Sequence, residues 1–143
     1  MILPDVNVLI YAFRPDTPQH AICRAWLENV VNGDSAFAIS SLSLSALVRI
    51  TTNRRSYRSP STVEEAFRFS EFLIAQPNCH LLEPGERHWQ IFKRLCTERD
   101  VRGPDVTDAW YAALAIEWGC EWITLDRGFA RFPDLKWSMP SLA

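Results

Sequence analysis

Four short apolar runs alternating with stretches of helical periodicity limit what this chain can fold into. The runs are residues 1–5, 37–40, 79–82 and 122–126. Between them, apolar residues recur at helical spacing: Ile22, Trp26, Leu27, Val30 and Val31, then Leu42, Leu44, Leu47 and Val48, then Phe69, Phe72 and Leu73. Strand–helix alternation of this kind predicts an α/β fold, a three-layer α/β/α sandwich around a central, mainly parallel sheet of four strands. At 143 residues, with 48% hydrophobic and 22% charged side chains, the chain suits one domain spanning 1–143 with a full core.

Local signals refine the elements. Residues 6–13 read as a buried helix with Asn7 a possible cap, and Asn32-Gly33 ends the next one. Ser61 with Glu64 and Thr62 with Glu65 offer overlapping capping boxes, and a further helix is expected from residue 86 to 97. Gly119 stops the helix that precedes the last strand. Pro4 lacks a backbone donor, so strand pairing is expected to end or distort there.

No apolar run reaches the length of a membrane span, and the N-terminus lacks a basic, signal-like start, so a cytoplasmic protein is expected. Cys23, Cys79, Cys96 and Cys120 are scattered and read as reduced thiols; His20, His80 and His88 are isolated. A formal net charge of −2 means nucleic-acid binding needs a local basic patch. One exists: Arg49, Arg54, Arg55 and Arg58, with Tyr57 among them, suit phosphate contacts and base stacking on single-stranded RNA, or form a solvated loop. Phe67, Phe69, Phe72, Trp89 and Phe92 are expected to lie mostly in the core, with some left for a homodimer or partner groove.

In a parallel sheet Asp5 and Asp126, each closing a strand, share one edge. Asp108, opening the helix before the last strand, joins them if its loop folds that way. Asp105 and Asp108 also read as plain capping acids, and Asp126 as a turn residue. Asp5 resists so simple an explanation, because a carboxylate between Leu3 and Val6-Asn7-Val8-Leu9 is costly to bury unpaired, and no cation lies near it in sequence. Three acids converging without a basic neighbour call for a divalent cation, and hard oxygen ligands select Mg²⁺ or Mn²⁺.

The succession Asp5-Val6-Asn7-Val8-Leu9-Ile10-Tyr11-Ala12, Asp108-Ala109 with Ala112-Ala113-Leu114-Ala115, and Thr124-Leu125-Asp126-Arg127-Gly128-Phe129 resembles the PIN-domain ribonucleases, and among them the VapC toxins of VapBC toxin–antitoxin pairs. The resemblance implies Asp5, Asp108 and Asp126 as catalytic metal ligands, with Asn7 and Thr124 in support. It implies RNA cleavage by an Mg²⁺- or Mn²⁺-activated water, leaving a 5′-phosphate and a 3′-hydroxyl, a homodimer, and a VapB-type antitoxin partner. One departure stands out. Where the family usually carries a glutamate on the helix after the second strand, this chain has Ala46. Asp105 or Asp16 is a candidate replacement. The alternatives are a degenerate PIN module that binds RNA or protein without cutting, and a structure-specific DNA nuclease, for which the chain is short.

Overall fold

The computed structural model describes residues 1–141. In chain order it contains β1 (Ile2–Pro4), α1 (Val6–Phe13), α2 (His20–Asn32), β2 (Phe37–Ser40), α3 (Ser41–Thr51), α4 (Val63–Ile74), β3 (Cys79–Leu82), α5 (His88–Arg99), α6 (Val106–Trp118), β4 (Glu121–Ile123) and β5 (Trp137–Ser138). Tight 3₁₀ turns occupy Gly103–Asp105 and Arg127–Arg131. The sheet order is β3-β2-β1-β4-β5, and every pair is parallel. The fifth strand adds to the four expected. Two residues carry no readable periodicity, yet Trp122 N–H donates to the Lys136 carbonyl and Thr124 N–H to that of Ser138, at 2.8 and 3.0 Å.

Side chains alternate between the sheet's two faces. Leu3, Ala38 and Trp122 point into one core, built with α5 and α6; Phe37, Ile39 and Ile123 point into the other, built with α1, α2, α3 and α4. Two cores on opposite faces make the three-layer sandwich. The small residues Ala109, Ala112, Ala113 and Ala115 are fully buried, so α6 packs closely against its surroundings. Gly119 ends it with φ +65°, a left-handed conformation that suits glycine.

Several local expectations change. The β1–β4 register continues through Pro4, and Asp5 N–H donates to the Ile123 carbonyl at 2.8 Å. Donors alternate sides along a strand, so Pro4's missing donor faces β2, where the register is Ile2 with Phe37. Asn7 lies inside α1 and is not its cap; Asp5 precedes the helix and makes no side-chain cap bond, its carboxylate being turned toward β4. Of the two capping boxes, Thr62 with Glu65 forms. The aromatics are less buried than expected: Phe67 is 49%, Phe72 54% and Trp89 66% exposed. On α4 the inward face runs through Ala66, Ser70 and Leu73, and Phe67 and Phe72 fall off that stripe. All four cysteines are free thiols. Among the described residues, no helix is long and apolar enough to cross a membrane.

α5 begins at His88 because Glu117 claims the backbone before it. The buried Glu117 carboxylate accepts from Gly85 N–H at 2.8 Å and Arg87 N–H at 3.0 Å, and the Arg87 guanidinium donates to the Glu117 carbonyl at 2.6 Å. A Cβ at Gly85 would lie 2.6 Å from Glu117 Oε2, so a side chain there would displace the Glu117 carboxylate. Glu117→Ala strands both amides and should cost about 2–3 kcal/mol of unfolding free energy in urea titration. A change within about 0.5 kcal/mol, typical of surface sites, would show that the tether adds nothing.

Candidate active site

The order β3-β2-β1-β4-β5 reverses direction at β1 and β4, and ligands of open α/β sheets bind beyond the carboxyl ends of such a strand pair. Asp5 and Thr124 emerge there. Thr124, fully buried, donates from Oγ1 to Asp5 Oδ2 at 2.7 Å. The same oxygen accepts from Asp126 N–H at 3.0 Å and from Asn7 Nδ2 at 3.5 Å. Asp5 is 7% exposed, and burial pushes its carboxyl up to about 6, against the lowering effect of Thr124 and the backbone N–H groups of Asn7 and Val6. The charge of Asp108 adds a smaller upward push. Asn7 Oδ1 is buried and, among the described residues, has no hydrogen-bond partner.

Asp108 sits in the first turn of α6 and is half-buried. Desolvation raises its carboxyl, the charges of Asp126 and Asp105 raise it further, and Arg131 opposes them. Arg131 was missed in the sequence and corrects the expectation of acids without a basic neighbour: its Nη2 donates to Asp108 Oδ2 at 2.8 Å. The turn is responsible. Asp126 caps it by accepting from Gly128 N–H at 2.8 Å, and the chain curls so that Arg131 comes back over α6. A cation five residues beyond the last acid was the available signal.

Asp5 and Asp108 line one open cleft of about 350 Å³, together with Ser45, Ala46, Arg49 and Tyr111. Ala46 is thus part of the cleft wall, facing the acids. Asp105 is exposed and lies outside that wall, although its charge reaches Asp108. Asp16 is committed elsewhere: its carboxylate accepts from Arg14 Nε at 2.9 Å and Nη2 at 2.5 Å. The buried Arg14 also donates to Ser61 Oγ at 2.9 Å and the Ser59 carbonyl at 2.8 Å. Its guanidinium carbon lies 4.0 Å over the Tyr57 ring, so one stacking face of that ring is already covered. Arg49 faces the cleft, whereas Arg54, Arg55 and Arg58 are exposed on the loop after α3 that Arg14 anchors.

The donors near the acids are all hard oxygens, and the unpartnered Asn7 Oδ1 beside Asp5 adds to them, a chemistry that fits Mg²⁺ or Mn²⁺. Among the described residues no three acidic, histidine or cysteine side chains are already arranged as a metal cage. Asp108 is held by Arg131 and Asp126 by its own turn, so the donors fit in kind while their side chains still have to turn inward.

Comparison with known proteins places the chain in a family. A PIN domain model matches residues 2–135. The VapC ribonuclease Mb2897 of Mycobacterium bovis is 41% identical over 140 residues, 98% of this chain and 95% of its own. Ribonuclease VapC25 of Mycobacterium tuberculosis is 39% identical over 142 residues, 99% of this chain and all of the relative. Among solved structures, VapBC2 from Rickettsia felis superposes with TM-score 0.72 at 18% identity, covering 99% and 100% of the two chains. VapC20 of Mycobacterium tuberculosis, described as a sarcin-ricin loop cleaving toxin, gives 0.67 at 12% identity, covering 91% and 93%. At such low identities these superpositions speak for the fold; the family follows from the domain match and the full-length relatives, and the chain belongs to the PIN-domain family, among its VapC ribonucleases.

Proposed function

We propose that this protein is an Mg²⁺- or Mn²⁺-dependent endoribonuclease toxin that hydrolyses RNA phosphodiester bonds at Asp5, Asp108 and Asp126 and is silenced by a VapB-type antitoxin. The observation that carries the reading is Asp5: a buried carboxylate with no cationic partner among the described residues, opening into the cleft it shares with Asp108. A divalent cation bound there would stabilise charge on the scissile phosphate and supply hydroxide at neutral pH. Asp5, Asp108 and Asp126 would hold it. Thr124 fixes the Asp5 carboxylate from behind and orders the Asp126 backbone through the same oxygen. Arg49 would steer a phosphate into the cleft, with Arg54, Arg55 and Arg58 following the strand outside it. Cleavage would leave a 5′-phosphate and a 3′-hydroxyl.

Ala46 removes one ligand from the family pattern, and Asp105 reaches the site only through its charge. The three remaining acids therefore carry the reaction in this reading. Relatives solved as VapBC assemblies support a VapB-type partner, for which the apolar groove between Phe13, Leu27, Val31, Phe69 and Phe72 offers a seat. The exposed Leu42, Phe67 and Ile74 suit a homodimer contact.

Asp5→Asn, Asp108→Asn and Asp126→Asn should each lower Mn²⁺-dependent cleavage of RNA by more than about a hundredfold, and Thr124→Val by about 10- to 100-fold. Wild-type protein that binds RNA without metal-dependent cleavage would favour a binding module. In EDTA, the raised Asp5 pKa has a signed consequence. Its contribution to stability is fully present below the unfolded value of 3.8 and is lost as pH rises through about 6. Urea titrations from pH 4 to 7.5 should show Asp5→Asn gaining on the wild type by up to about 3 kcal/mol, with Mn²⁺ stabilising the wild type alone. A difference independent of pH would contradict the assignment. Replacing Arg54 and Arg55 by Ala should reduce the slope of log K against log salt for single-stranded RNA by about 1.4; an unchanged slope would remove them from the substrate path.

A further inference from the structure

We propose that Arg131 is a resident counter-cation of the acidic site, which gives up Asp108 to an incoming divalent metal and passes to an RNA phosphate. This rests on the reading of Asp5, Asp108 and Asp126 as metal ligands. Four observations converge on it. Arg131 Nη2 donates to Asp108 Oδ2 at 2.8 Å, so a cation approaching that oxygen meets a like charge already in place. The other arm reaches the Asp126 turn: a Cβ at Gly128 would stand 2.9 Å from Asp126 Oδ1 and 3.5 Å from Arg131 Nη1. The guanidinium thus spans the two segments that carry the last two acids. Its Nε is buried and, among the described residues, has no hydrogen-bond partner.

The last observation concerns access to solvent. The Arg131 side chain is 34% exposed, its guanidinium carbon 4.9 Å over the Phe132 ring. Rotation about the side chain's own bonds, with the ring as a platform, is enough to leave Asp108. A bidentate pair would spend two guanidinium nitrogens on its carboxylate; here one nitrogen serves Asp108 and the Nε donor stays unspent. A planar fork with a free donor, beside acids that a dication would neutralise, is suited to a phosphate oxygen. Asp108, Asp126 and Asp105 are the acids whose mutual repulsion the guanidinium relieves until the metal arrives.

The test uses the full chain, Arg131→Gln to remove the charge while keeping a long side chain, Arg131→Lys to keep it, and Asp5→Asn as the control for the site. By calorimetry without RNA, Arg131→Gln should bind Mn²⁺ about fivefold more tightly than wild type, with Arg131→Lys close to wild type. A non-cleavable 2′-O-methyl single-stranded RNA should then bind Arg131→Gln about fivefold more weakly than wild type with Mn²⁺ present, and equally in EDTA. In the wild type, the Arg131 Nε–H resonance should shift on Mg²⁺ addition, a readout that needs no variant to fold. Unchanged or weaker Mn²⁺ binding by Arg131→Gln, with binding still dependent on Asp5, would overturn the role of Arg131 alone. So would an equal loss of RNA affinity with and without metal, or a resonance that stays fixed. Wild-type protein without Asp5-dependent Mn²⁺ binding would overturn the metal reading and this proposal together.

Discussion

One hydrogen bond, 2.7 Å from Thr124 Oγ1 to Asp5 Oδ2, joins the two strands on which the site depends. It forms because β1 and β4 run parallel in register, Pro4 opposite Ile123, so that the next residues of both emerge at the same edge. Burying Asp5 is unfavourable, as its raised pKa records, and Thr124 offsets part of that cost without neutralising the charge. The remaining demand for positive charge is what a divalent cation would meet in the proposed reading. The same hydroxyl accepts from the Asp126 backbone and the Asn7 amide, so the residues that follow β1 and β4 are positioned by a single buried oxygen.

Much of this was legible in the sequence, for a reason that differs from residue to residue. The alternation of apolar runs with helical spacing predicts the layers because each face must bury its own stripe, and the two cores divide along strand alternation. Asp5 was conspicuous because a carboxylate in so apolar a setting has no inexpensive explanation. What escaped depends on contacts distant in sequence. Glu117 looks like an ordinary helix-end acid until Gly85 and Arg87 close over it. Asp16 looks free until Arg14 grips it, and Tyr57 looks like a stacking platform until the same guanidinium covers one face. β5 is two residues long and exists only as pairing to β4. Arg131 depends on the curl of a 3₁₀ turn, which no periodicity announces.

Arg131 also alters the electrostatic picture. Without it, Asp108 would face Asp126 and Asp105 uncompensated, and desolvation would add to the repulsion. With it, Asp108 has a cationic partner within the protein itself. Ala46, in the wall of the same cleft, leaves the site one carboxylate poorer than the family pattern, so less negative charge has to be balanced by the folded protein alone. In the proposed reading, a poorer ligand set and an internal counter-cation would act in the same direction: both would reduce the pull on a metal in the absence of substrate and leave room for an RNA phosphate to complete the site.

The most direct measurement is a crystal structure of the protein soaked in Mn²⁺, with the metal located by its anomalous scattering. An ion is expected between Asp5, Asp108 and Asp126, bound to at least Asp5 and Asp108, with the Arg131 guanidinium turned away from Asp108. Mn²⁺ bound elsewhere, or an Asp108–Arg131 pair left intact beside an empty acid cluster, would contradict it.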